Sequence, residues 1–176
     1  HLRGCWNWAK VAEQDSASQQ RFEQLMTQHL ASWPEAPTAN QIRIWLAGRF
    51  QSASRWKSAF ETYLGVAPNH ELFGDALTRA TYCADRWVEQ NKPAEAASVA
   101  TEITARLESL LSSSNAAAKA EIWLAIAEFG LHHGTVPPTR LVQPLADLVS
   151  QTESSQRSKG RALLIAAMAA DPNVAT

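Results

Sequence analysis

The 176 residues include 31 alanines against 7 glycines and 8 prolines, a composition that favours helix and excludes an all-β sandwich, a collagen-like chain or a disordered tail. Charged residues make up 19% and the net charge is −1, with no block of like charges, so the footprint of a nucleic-acid binder or a polybasic membrane segment is missing. With 45% apolar residues the chain has material for a packed core, and its length points to a single domain over residues 1–176.

Apolar residues recur at helical spacing from the start. Leu2, Cys5, Trp8 or Ala9, and Ala12 mark a first helix over residues 2–13, and the polar run 14–18 offers caps to the next. Phe22, Leu25, Met26, His29 and Leu30 form one face of a second helix, ending before Trp33 and Pro34. Pro34 and Pro37 bracket a loop, because each proline drives its predecessor out of helical geometry. Thr38 opens a third helix carrying Ile42, Trp45, Leu46 and Phe50. After a break at 52–54, Trp56, Ala59, Phe60, Tyr63 and Leu64 continue the pattern up to Gly65 and Pro68. A long helix is expected over 71–90, then a turn at 91–93. Helix resumes through Ala96, Ala100, Ile103, Leu107 and Leu110 and stops in the polar run 112–115. Residues 116–132 make the next helix, broken by Gly134 and the pair Pro137-Pro138. Leu141, Leu145 and Leu148 mark another, expected to bend or start near Pro144, and 161–170 a last short one stopped at Asp171-Pro172. No run alternates with period two, so no strand is assigned; the chain reads as all-α, with about eight helices.

Internal repetition organises these helices. Arg21-Phe22, Leu25-Met26, His29-Leu30 and Pro34 return 34 residues later as Arg55-Trp56, Ala59-Phe60, Tyr63-Leu64 and Pro68. Ile44-Trp45-Leu46-Ala47 returns as Ile122-Trp123-Leu124-Ala125 and, more loosely, as Thr81-Tyr82-Cys83-Ala84. A period near 34 with two helices per unit resembles the tetratricopeptide-repeat family. In that register Ala47 is the small residue where two helices cross, Phe50 the aromatic three later, Ala59 the second-helix alanine and Tyr63 the aromatic after it. Small side chains at 47 and 59 let two helices approach closely. The match is best over residues 20–110, and the stretch from Trp33 to Ala59 is similar to the bacterial-envelope branch, which includes the Tol–Pal periplasmic coordinator. It departs from the pattern where Pro68 comes early and where Ala47 replaces the commoner glycine. The resemblance implies a right-handed α-solenoid of antiparallel helix pairs, roughly three to four of them. It also implies a location in the periplasm or cell envelope, with the cytoplasm left open.

The same register assigns the inner groove to Gln41, Ile44, Trp45, Gly48, Gln51, Thr78, Thr81, Tyr82 and Asp85. Ile44, Trp45, Gly48 and Ser52 lack the cationic and amide groups of a carboxylate clamp, which excludes chaperone-tail binding of that kind. Trp45, Tyr82 and Trp123 take equivalent places in three helices. They make either an aromatic ladder that stacks on a peptide or packing between neighbouring helices, the commoner fate of aromatics at this spacing. His132 and His133 are adjacent, about 100° apart around a helix, and do not easily share a metal; a polar helix end is expected there. Asp85, Arg86 and Glu89 read as a solvated face or local ion pair, and His29 and Tyr63 as core-facing. Cys5 and Cys83 read as small buried apolar residues, with a disulfide between them the less expected alternative, and they cannot build a zinc site alone.

No nucleophile elbow, phosphate-binding glycine loop or paired-histidine zinc motif is present, so no catalytic residue, cofactor or metal site is assigned. The chain begins His-Leu-Arg-Gly without methionine, signal-peptide core or long apolar span, and reads as a fragment of a longer protein or a mature form. The expected function is a non-catalytic scaffold for a protein or peptide, with no nucleic-acid partner and self-association left open. The alternatives are a structural or oligomerisation module and an accessory domain of a larger enzyme.

Overall fold

The computed structural model describes residues 16–151 and 155–170. They form eight α-helices: α1 (Ser16–Ser32), α2 (Ala39–Ser52), α3 (Trp56–Leu64), α4 (Phe73–Gln90), α5 (Pro93–Ser109), α6 (Ala116–His133), α7 (Pro138–Gln151) and α8 (Ser155–Ala170). A 3-10 turn, Leu110–Ser113, follows α5, and no strand occurs among the described residues, so the fold is all-α. The helix expected over residues 2–13 lies outside them. No described helix is long and apolar enough to cross a membrane.

Local chemistry sets the breaks. The loop after α1 is fastened by Arg43, which donates to the Pro34 carbonyl at 2.8 Å and to Asn40 at 2.9 Å. Pro93 opens α5, where its missing N–H is one the helix could not use. Asn115 caps α6 by accepting the Ala118 N–H at 2.9 Å. At the other end Gly134 takes the left-handed conformation (φ 65°) and its N–H returns to the Gly130 carbonyl.

Three boundaries differ from expectation. The turns from Ala67 to Phe73 delay α4, and the His70 ring accepts the Leu72 N–H at 3.2 Å there. Pro138, not Pro144, opens α7, and the helix runs on through Pro144. α8 begins at Ser155 rather than at 161 because its first turn is polar and shows no apolar period. That turn is held to α6 by Lys159–Glu128 at 2.6 Å and by Gln156 donating to Glu121.

Each helix packs on the next in sequence, and α4–α6 and α6–α8 pack as well. α6 therefore touches α4, α5, α7 and α8, which is why Ile122, Leu124, Ala125, Ile126, Ala127 and Phe129 are buried around nearly its whole circumference. Ala47 and Ala59 are completely buried where α2 meets α3, and Ala84 is buried on α4. The 34-residue echo is visible in the packing too: Met26 and Phe60 are both core, but Leu25 is exposed where Ala59 is buried. A leucine there is too large for the close approach the alanine permits.

Candidate functional site

The groove residues divide by environment. On α2, Gln41, Ile44, Trp45, Gly48 and Gln51 are all half-buried. Ile44 and Trp45 pack on the edge of the core. Gln51 and Gly48 serve the α2–α3 seam: the buried Tyr63 hydroxyl donates to Gln51 Oε1 at 3.0 Å, and a side chain at 48 would meet that hydroxyl at 3.7 Å. On α4, Thr81 faces inward with its hydroxyl on the Thr78 carbonyl (2.9 Å), while the exposed Thr78 donates to Gly74 (3.0 Å). Both spend their hydroxyls on their own helix. Tyr82 is 45% exposed, and Asp85 and Trp123 are half-buried.

The three echoed tetrads share one pattern. Their third and fourth residues (Leu46-Ala47, Cys83-Ala84, Leu124-Ala125) are buried, and the aromatic second residue keeps part of its ring in solvent each time. Trp45 and Trp123 also pack on the core; Tyr82 stands furthest out. Its ring meets Trp56 of α3 edge-on at 6.1 Å, and the Arg86 guanidinium lies 5.5 Å from its centroid. Arg86 is in turn paired with Glu89 at 2.7 Å. A surface cluster of Trp56, Tyr82 and Arg86 thus joins α3 to α4. Trp56 carries no groove assignment in the sequence, because the tetrad register places only α4 residues beside Tyr82; the signal was an aromatic opening α3. Arg86, four residues after Tyr82 on α4 itself, reads in the sequence only as part of a solvated face or local ion pair.

Asp85 departs from the local pairing expected of it. Its partner is His133 of α6: His133 Nε2 lies 2.8 Å from Asp85 Oδ1, and His132 Nδ1 3.7 Å from the same oxygen. The two imidazoles stack at 4.4 Å with planes 28° apart, and the Phe129 ring backs His133 at 4.4 Å. The adjacent histidines do converge, since the end of α6 lies across α4 and both rings reach one carboxylate.

Deeper in, burial pushes the Tyr63 phenol upward, against the pull of the Arg79 guanidinium. Burial likewise raises the Cys83 thiol to about 11, again opposed by Arg79. Cys83 is free, buried and held as a neutral thiol, in keeping with a small apolar core residue; Cys5 lies outside the described residues. His29 is half-buried beside Trp33, with ring centroids 5.1 Å apart. No protein-family model, curated protein or solved structure matches this chain.

Proposed function

We propose that the chain is a non-catalytic scaffold, a right-handed solenoid of tetratricopeptide type whose α3–α4 face docks a protein or peptide through Trp56, Tyr82 and Arg86. One observation carries this reading: the repeated tetrad buries its third and fourth residues yet leaves its aromatic at the surface, most openly at Tyr82. Rigid aromatics and arginine are the side chains that most often anchor interfaces, the aromatics because they bring large contact area at small entropic cost and arginine because its planar guanidinium both stacks and donates several hydrogen bonds. The packing of each helix on its successor, with α4–α6 and α6–α8 as next-but-one neighbours, suits a chain built from stacked helix pairs.

The test is affinity capture from an extract of the source organism with wild type and Tyr82→Ala as baits. Tyr82 is exposed, so the variant should match the wild type in circular dichroism and melting. A partner held by the wild type should be lost, or weakened by roughly tenfold or more, as for an interface anchor. A folded Tyr82→Ala that keeps every partner at full strength removes this face from the account.

A further inference from the structure

We propose that Asp85, His132 and His133 form a binding site for a late first-row divalent cation of the zinc class. One carboxylate and two imidazoles are a donor set that suits zinc, which takes such ligands at about 2.0–2.2 Å and commonly leaves a fourth position open. One ligand atom from each side chain lies within 4.8 Å of the other two. Tetrahedral bonds of this length separate ligand atoms by about 3.3 Å. The Asp85 Oδ1 distances, 2.8 Å to His133 Nε2 and 3.7 Å to His132 Nδ1, fall on either side of that value. Two of the three separations in this donor set are thus already within about half an ångström of those around a bound cation.

The surroundings favour the cation as well as the geometry. His133 is held between Phe129 and Asp85 with 14% of its side chain exposed, so one ligand is fixed in advance. Both histidines belong to the last turn of α6, where unpaired carbonyls give the helix end a partial negative charge. Arg86, the cation next to Asp85 in sequence, is engaged with Glu89 and Tyr82. His132 is 66% exposed, which leaves an entry path and a solvent side where water, or a donor from another molecule, completes the coordination. The bound cation ties α4 to α6.

The probe is zinc chloride titrated calorimetrically into the full chain after chelator treatment and dialysis, with melting curves beside it. The wild type should show one saturable site per chain and a melting temperature that rises with zinc. Asp85→Asn, His133→Asn and His132→Ala should each weaken binding at least about tenfold, the scale at which even outer-shell partners of a metal act, and abolish the rise. His132 is exposed, so His132→Ala keeps the test decisive if the other two variants lose stability. A wild type without saturable heat overturns the site. An identical curve for wild type and His132→Ala does so too, because it places the zinc on groups other than this cluster.

Discussion

Cys83 shows how single side chains are tuned by this core. Its thiol is fully buried on α4 and burial raises it from an ordinary 9.0 to about 11. The unfolded chain therefore releases this proton first as pH rises. Stability is unaffected below the unfolded value, falls progressively between the two values and levels off above the folded one. Denaturant midpoints measured from pH 8 to 11 should consequently fall more steeply for wild type than for Cys83→Ala. Parallel slopes would mean that the thiol is hydrated in the folded state. Tyr63 is built on the same logic with a better solution, since its buried hydroxyl has a partner in Gln51.

Elements carry the next level of specification, and α6 shows both what a sequence states and what it withholds. Its cap at Asn115 and its stop at Gly134 are local chemistry and are readable as such. Gly130 is different. A Cβ there would come within 2.7 Å of Val136, so the chain can turn back across α6 only over a bare backbone. Gly130→Ala should cost about 1–3 kcal/mol by overpacking, despite alanine's better helix propensity, as measured by urea denaturation. An unchanged or higher stability would show that Val136 gives way freely. Apolar period and breakers made most helices legible: α2, α3 and α6 lie within a residue or so of their expected limits. The start of α8 was hidden because Gln156 and Lys159 bind glutamates of α6 instead of showing an apolar face. Pro144 looked like a boundary because a proline's local preference says nothing of the packing that carries a helix through it. The Asp85–His133 contact joins residues 48 apart, and no local period encodes such a pair. The aromatic tetrads were readable as a repeat, whereas the inward turn of Thr81 and the pairing of Tyr82 with Trp56 depend on how α3 lies against α4.

At the scale of the molecule, neighbours follow sequence order: successive helices touch, α4 and α6 touch, and α6 and α8 touch. α8 ends the described chain with Ile165 67% exposed and Met168 partly so, apolar side chains on a helix that packs on α6 and α7. In a stack of helix pairs, stability is a sum of local and nearest-neighbour contributions, so damage at one end should not propagate evenly. Leu148, buried where α7 meets α8, provides the lesion: Leu148→Ala removes about 2–5 kcal/mol of local packing. Native-state hydrogen exchange on wild type and Leu148→Ala is the measurement that distinguishes the proposed stacked array from a single bundle. In a stacked array, amides of α7 and α8 should lose protection while those of α2 and α3 keep theirs. Equal loss of protection from α2 to α8 would contradict it and describe a single cooperative bundle instead.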